Sequence, residues 1–501
     1  MHFSACIDRL KEKGLLVSCS NPLNIQFNRL AIDSREVGPS DCFVALRGVQ
    51  ADGHLFIDKA VKNGAIAIVS EAGPESAIEN GPAFAHVTHS HGALAEMASL
   101  MQGDPGEKLH VIATTGTNGK TTVATLIAWV LNHTGTPAGF LGTTGYRYGN
   151  VNVDASHTTP SAIVFHELLS GMLELGMTAC SMEASSHAID QSRFRTSDID
   201  VAIFTNLSRD HLDYHKTFES YGASKKRLFD GLNVGSGAVT NVDDEKGQYM
   251  VSDSRARITT YGQSAAADIR YSIRSNTLSG LVLELDGVTT TCKLAGTFNA
   301  ANLAAAYAAC LSLGMDGTLV RNRLAMCPPV VGRMETFQTE SGSTVILDYA
   351  HTPDALENVL STVRESLTEG SSLWCVFGCG GDRDRGKRPE MGAIAEKLAD
   401  HVVVTSDNPR TEDAAAILED IRKGVKRAKD ALWIVDRREA ISTAIKRMAT
   451  GDTLVLAGKG HETYQVIGTE KIHFDDRVEA MRAFSSIGQQ LILGQPAGFN
   501  S

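Results

Sequence analysis

One short stretch constrains this chain more than any other. An apolar run, His110 to Thr114, is followed by Gly116-Thr117-Asn118-Gly119-Lys120-Thr121-Thr122 and then by an amphipathic run, Val123 to Asn132, closed near Gly135. Strand, glycine loop, Lys-Thr and helix form an arrangement that cradles polyphosphate. Backbone N–H groups and the helix N-terminus face the anion, Lys120 neutralises it, and Thr121 can reach Mg²⁺. The common GxxxxGK[ST] pattern would need glycine where Thr114 stands, so the loop departs from it. A glycine turn that merely precedes a helix would not require Lys-Thr at its end, and nucleotide binding is the better account.

The rest of the chain extends this α/β reading. A length of 501 residues is too great for one core and suggests about three domains. Gly103-Asp104-Pro105-Gly106 and Pro328-Pro329 read as linkers, which divides the chain at 1–107, 108–334 and 335–501. In the last segment, apolar runs at 344–347, 373–377, 401–405, 432–435 and 453–457 alternate with helical patterns, as in a doubly wound, largely parallel sheet. Four of these runs end in polar turn residues: Asp348 to His351, Gly378 to Arg383, Ser406 to Arg410, and Gly458 to Glu462. Ligand crevices of such sheets lie at the carboxyl ends of the strands, so these loops are expected to converge. The middle segment repeats the logic, with runs ending at Gly116, Glu183, Asn206 and Asn241. The first, with Val44 to Leu46 and Ile66 to Val69 as strands, reads as a smaller mixed domain.

Composition excludes some functions. There is no apolar run of membrane-spanning length and no signal peptide at Met1, which makes the cytoplasm the expected compartment. Nine cysteines without paired spacing read as reduced, buried thiols. A net charge of −11 argues against nucleic acid as a partner but leaves local anion sites open.

Glu183, at a strand end, can face Thr121 and share a hard cation with it. His211, within Asp210-His211-Leu212-Asp213, would alone read as a structural histidine. Arranged along the chain, however, are Gly116 to Thr122, Met182-Glu-Ala-Ser-Ser-His187, Asn206-Leu-Ser-Arg-Asp-His-Leu-Asp-Tyr-His215, Tyr221-Gly-Ala-Ser-Lys225, Gly296-Thr-Phe-Asn-Ala-Ala-Asn302, Gly332-Arg-Met-Glu335 and Asp348-Tyr-Ala-His-Thr-Pro353. In order and spacing they resemble the Mur ligases over essentially the whole chain, and within that family the MurE type.

The resemblance implies a three-domain fold: a UDP-binding N-terminal domain, a central P-loop-type ATPase domain, and a C-terminal Rossmann-like domain that binds an amino acid. It implies Mg²⁺ held by Thr121 and Glu183, and a second ion held with help from His211. Lys225 resembles a lysine that CO₂ converts to a carbamate ligand; the neighbouring Lys226 competes for that assignment. Asn299 and Asn302 resemble adenine-side residues, Arg333 an interdomain arginine and Asp348 a ribose-side carboxylate. Ile32, Ser34, Val49, Gln50 and Ala51 would contact uridine diphosphate, although some relatives carry His where Val49 stands. Thr158, Thr159, Ser185, Gln191 and Arg193 would hold the sugar-peptide.

Asp407-Asn408-Pro409-Arg410 lies, in the family, at the amino-acid pocket. A second amino-acid head, as in meso-diaminopimelate, needs an anion clamp and a cation partner. Arg410 and Arg383 would form the clamp, with Asn408 alongside and Glu462 and the Gly458 carbonyl receiving the ammonium. Lysine has no distal carboxylate, so these residues favour meso-diaminopimelate. The implied reaction runs through an acyl phosphate made from ATP and UDP-N-acetylmuramoyl-L-alanyl-D-glutamate, by a monomeric enzyme. Alternatives are a lysine-adding relative, a folylpolyglutamate synthetase-type ligase, a P-loop NTPase that drives movement, and an inactive paralogue.

Overall fold

The computed structural model describes residues 1–20, 23–48, 51–73, 81–427 and 429–492. Three main sheets organise these residues, with a two-stranded hairpin attached to the last. In the first, Leu30–Ala31, Cys42–Val44, Ala67–Ser70 and Ala83–Val87 run parallel, and Leu16–Ser20 closes one edge antiparallel. The strand expected over Val44 to Leu46 lies earlier. Ala45 still donates to the Val69 carbonyl, but Leu46 turns away to accept from the Gly53 amide at 2.7 Å.

The central sheet has eleven strands. Its parallel heart runs Gly237–Asn241, Val201–Phe204, His110–Thr115, Ala179–Glu183, Ala138–Gly142, and antiparallel ribbons extend both margins. The phosphate-loop strand thus has later strands on both sides. Such a switch point opens a crevice at the strand ends. The register sets Glu183 beside Thr114 and Phe204 beside Thr115, so three loops leave the sheet together.

The helix after the loop spans Lys120–Asn132, beginning three residues before the amphipathic run. It is not amphipathic in use, because only Lys120, Trp129 and Asn132 escape burial. One side covers the sheet. On another lies the alanine-rich helix Thr297–Ser312, buried in the same cluster, whose small side chains permit close approach.

In the third sheet, Leu432–Trp433, His401–Val404, Leu373–Phe377, Thr453–Ala457 and Thr344–Asp348 are parallel, followed by antiparallel Glu335–Thr339 and Leu491–Ile492. Burial on both faces explains why the central strands read as unbroken apolar runs. Strand Leu491–Ile492 lies in a tail that carries no sequence motif. Nor is the Gly103 to Gly106 stretch a loose linker. Asp104 takes φ +52° and accepts from Arg9 at 2.8 and 3.0 Å and from Arg195 at 3.1 Å, tying the first sheet's helices to the central domain.

Candidate active site

Gly116 and Gly119 are required by geometry. Both have positive φ, +150° and +86°, and a Cβ would stand 1.9 Å from Thr205 Oγ1 at the first and 2.5 Å from Asn302 Oδ1 at the second. Lys120 Nζ folds back onto the carbonyls of Gly116 (2.9 Å) and Thr117 (2.7 Å). Burial pulls its amine below the ordinary lysine range. Thr117 Oγ1 donates to the Ser208 carbonyl, Asn118 N–H donates to Asn206 Oδ1, and Thr122 is buried beneath the loop.

Thr121 Oγ1 donates to Glu183 Oε2 at 3.0 Å and receives Arg333 Nη2 at 2.8 Å. Glu183, 1% exposed, also accepts the Thr143 amide at 2.8 Å. A hydroxyl and a carboxylate side by side are hard donors of the kind Mg²⁺ takes. Among the described residues no group of three His, Cys, Asp or Glu stands at metal-binding spacing, so any cation here must draw further ligands from hydroxyl, water, phosphate or a modified side chain.

Lys225 and Lys226 part company on the helix Phe218–Asp230. Lys226 Nζ pairs with Asp230 (2.5 Å) and Asp253 (2.6 Å), away from the loop. Lys225, 1% exposed, donates to the Gly116 carbonyl at 2.8 Å and lies over the Tyr221 ring. Burial, and secondly the Lys120 ammonium, drive its amine well below the lysine range. His211, at φ +56°, caps the short helix Leu212–His215. Burial pushes its imidazole down to about 3 against the pull of Asp210, so the ring is neutral. His187 stands edge-on to it and falls to about 4, again through burial.

Central and C-terminal domains meet across this loop. Asn118 Nδ2 donates to Asp354 Oδ2 at 2.7 Å, and Arg333 stacks 4.6 Å from the Tyr349 ring centre. Asp348 Oδ2 accepts the Met334 amide at 2.7 Å. Asp210 gathers three cationic or imidazole groups: its own neighbour His211 (3.4 Å), His351 (3.7 Å) and Lys387 (3.8 Å), the last two from the C-terminal domain. Arg209 bridges to Asp384 and Glu390 at 2.9 and 3.0 Å. Between the domains lies a cavity of about 240 Å³ lined by the phosphate loop, Glu183, His211, Lys225, Asn302, Arg333 and Asp348. Asn302 Nδ2 donates to Asn299 Oδ1, and Asn299 itself is buried behind the cavity wall.

The expected sugar-peptide residues form one connected group at the cavity's margin. Thr158 accepts from Thr143 Oγ1, and Thr159 Oγ1 donates to the Glu183 carbonyl at 2.7 Å. Ser185 caps the helix Ser186–Asp190, and Arg193 holds Gln191 Oε1 and the Thr159 carbonyl. In the first domain Ile32 is 39% exposed, Ser34 is buried with its carbonyl bound by Asn63, and Ala51 accepts the Gly48 amide. Val49 and Gln50 lie outside the described residues.

The loop Asp407 to Arg410 meets Gly381, Gly458 and Glu462, as the strand-end pattern requires. Arg410, at φ +52°, donates from Nη1 to the Gly381 carbonyl at 2.8 Å; Arg383 Nη1 donates to the Asp382 carbonyl. Among the described residues neither guanidinium is ion-paired to a carboxylate, and each is close enough for Arg410 to lower the proton affinity of Arg383, after burial. Asn408 Nδ2 donates to Glu462 Oε2 at 2.9 Å. Gly458, at φ +111°, turns the chain where its amide reaches the Asp348 carbonyl, and Pro409 carries the turn into Arg410. Asp407 Oδ1 accepts from Lys459 Nζ at 3.4 Å. It is 7% exposed, and although burial opposes its ionisation, Lys459, Arg437, Arg410 and His351 outweigh that and hold the carboxyl below its usual range.

Comparison with known proteins identifies the family. The Mur ligase middle domain profile matches residues 114–310, the Mur ligase glutamate ligase domain profile 332–460, and the Mur ligase family catalytic domain profile 26–101. The UDP-N-acetylmuramoyl-L-alanyl-D-glutamate--2,6-diaminopimelate ligase of Cytophaga hutchinsonii is 42% identical over 95% of this chain and 98% of its own. This chain belongs to the Mur ligase family. The enzyme of the same name from Parabacteroides distasonis is 43% identical over 92% of this chain and 96% of its own. A solved structure of a ligase so named superposes with a TM-score of 0.67 at 34% identity, covering 97% of this chain and 99% of that one.

Sequence reading of this Mur ligase missed several groups that the structure brings to the site. Asp210, His351 and Lys387 meet across the domain boundary; Thr143 and Asp354 anchor Glu183 and Asn118; Lys459 lies under the amino-acid loop. Asp210, His351 and Lys459 each sit inside a motif already singled out, Asp210 and Lys459 next to a residue assigned a role and His351 three positions after one. Lys387 and Thr143 carry no such signal.

Proposed function

We propose that this Mur ligase joins meso-diaminopimelate to the D-glutamyl side-chain carboxylate of UDP-N-acetylmuramoyl-L-alanyl-D-glutamate at the expense of ATP, a cytoplasmic step of peptidoglycan precursor synthesis. One observation carries the reading. The phosphate loop and the strand-end residues Asp348 to His351 line one interdomain cavity, and from Thr121 a line of contacts runs through Arg333 and Tyr349 to Glu462 and Asn408, beside Arg410.

In this reading the loop amides and Lys120 bind the ATP phosphates, and Lys120 follows the charge that grows on the phosphoryl group in transfer. Asn302 and Asn299 border the adenine side, Asp348 the ribose side. Arg193, Thr158, Thr159, Ser185 and Gln191 orient the acceptor carboxylate. Thr121, Glu183 and His211 have the oxygen and neutral imidazole donors to hold Mg²⁺, with Lys225 contributing as a carbamate. When bound, these ions would neutralise phosphate oxygens and favour attack by an anion. Burial lowers the proton affinity of the Lys225 amine and so favours the neutral form, which is the one that reacts with CO₂.

The acceptor carboxylate attacks the γ-phosphorus, ADP leaves, and the acyl phosphate forms. The incoming amine then attacks the acyl carbon, loses a proton, and inorganic phosphate departs. Arg410 and Arg383 would take the distal carboxylate of the amino acid, with Glu462, Asn408 and the Gly458 carbonyl at its ammonium. The contacts through Asn118–Asp354 and Arg209–Asp384 keep the two domains together and water out of the hydrolysable intermediate.

The test is product mass. The protein is incubated with ATP, Mg²⁺ and the UDP-linked dipeptide, with meso-diaminopimelate and lysine offered separately. Gain of one diaminopimelate residue is expected. Gain of lysine alone would overturn the substrate assignment, and phosphate release with no amino acid present would mark an NTPase instead.

A further inference from the structure

Beneath the loop that ends in Arg410 lies a lysine with no part in the reaction as described. Lys459 has a fully buried side chain, so it cannot touch a substrate. Its ammonium reaches Glu462 Oε2 at 3.2 Å, Asn408 Oδ1 at 3.3 Å and Asp407 Oδ1 at 3.4 Å. An ammonium has three protons, and here each has an acceptor.

The neighbourhood's charge explains why a lysine is there. Two carboxylates, Asp407 and Glu462, lie within 3.4 Å of one cation. Behind them Arg437 is spent on Asp476, at 2.6 and 2.8 Å, both fully buried. Without Lys459 the two carboxylates would stand together with no cation between them, and the proton that such a pair tends to share can sit on Glu462 and cancel its charge. With it, one cation stands against two carboxylates, leaving one net negative charge. Among the described residues, Glu462 Oε1 accepts only from the Tyr349 hydroxyl, at 3.3 Å, and is the oxygen left for a ligand. Asn408 Oδ1 accepts from Lys459 and, at 3.0 Å, from the Val466 amide, which together turn its Nδ2 to Glu462.

We propose that Lys459 is a positioning residue for amine-substrate selection: it balances Asp407 so that Glu462 alone offers one negative charge to the distal ammonium of the amino acid. The inference rests on the amino-acid pocket assigned above.

A double-mutant cycle tests it, using Lys459→Met, Asp407→Asn and the two together, with KM measured for meso-diaminopimelate and for ATP. Lys459→Met removes one member of a buried charge network and should raise the KM for diaminopimelate by about 30-fold or more. The KM for ATP should move less than about threefold, since uniform binding there is untouched. Removing Asp407's charge as well restores the single negative charge, and the double variant should recover at least about tenfold of that loss. If Lys459→Met does not fold, the double variant is compared with Asp407→Asn, whose pocket is neutral; the double should bind diaminopimelate more tightly.

A double variant worse than either single, or KM values for ATP and amino acid that rise together, would make Lys459 a packing residue and overturn the proposal. A wild-type protein that does not use diaminopimelate would instead overturn the pocket assignment, a failure visible before any variant is made.

Discussion

Replacing Lys225 by alanine separates chemistry from folding, because the structure predicts a small effect on stability and a large one on turnover. The side chain is 1% exposed and its ammonium has no carboxylate partner among its hydrogen bonds, only the Gly116 carbonyl and Thr115 Oγ1. Lys225→Ala orphans neither acceptor badly, since Lys120 still donates to Gly116 at 2.9 Å. Loss of the buried stem leaves a small cavity costing about 1–3 kcal/mol. Removal of an amine that burial disfavours in its charged form offsets part of that. Net stability should therefore change by about 2 kcal/mol or less, a Tm shift of a few degrees for domains of this size. Turnover should fall by about 10³-fold or more, the scale of losing a preorganised electrostatic group. Formate or acetate at high concentration should restore part of it by supplying the missing carboxylate. Coupled phosphate release and product mass give turnover, and thermal unfolding gives stability. Lys226→Ala, which breaks only the pairs with Asp230 and Asp253, serves as the control with native turnover. Unchanged turnover in Lys225→Ala would remove it from the mechanism. A large fall in Tm without rescue would reduce its role to packing.

Three further outcomes follow from the geometry. Gly119→Ala forces a side chain into φ +86° and onto Asn302 Oδ1; a left-handed alanine costs about 1–2 kcal/mol before any displacement, so the KM for ATP should rise about tenfold or more. A native ATP KM there would mean that the loop does not carry the phosphates. Arg410→Ala should raise the KM for diaminopimelate by about 30-fold or more while the ATP KM moves less than about threefold, as loss of one charged clamp predicts; equal effects would mean the pocket is elsewhere. His166 is fully buried with neither ring nitrogen hydrogen-bonded, and burial pushes its imidazole down to about 3 from 6.5. The unfolded chain takes up that proton below about pH 6.5 while the native state refuses it until near 3, so native stability falls as pH drops through this window. At pH 5 the loss is about 2 kcal/mol. His166→Leu should shrink the difference in urea-unfolding free energy between pH 8 and pH 5 by that amount, and identical pH slopes in the two proteins would refute it.

What the sequence disclosed and what it concealed divide along the range of the interactions. The phosphate loop was legible because its chemistry is local: Gly116, Gly119, Lys120 and Thr121 act within one turn of chain, and the apolar runs at 373–377 and 453–457 declare strands buried on both faces. Convergence of the strand-end loops was also legible, because an open parallel sheet puts its crevice there. Pairings between distant residues were not. Lys225 and Lys226 are identical letters in sequence, and only the packing of their helix sends one to the Gly116 carbonyl and the other to Asp230 and Asp253. Asp407 reads as a ligand at a strand end, yet its partner Lys459 stands 52 residues later. Asp210 looks like a flank of His211 until His351 and Lys387 arrive from another domain. In each case the residue type was correct for its chemistry and the partner decided its role. Buried charges should therefore be the hardest part of such a site to read from sequence, since an ion is stable in the interior only with a partner, and the fold alone supplies it.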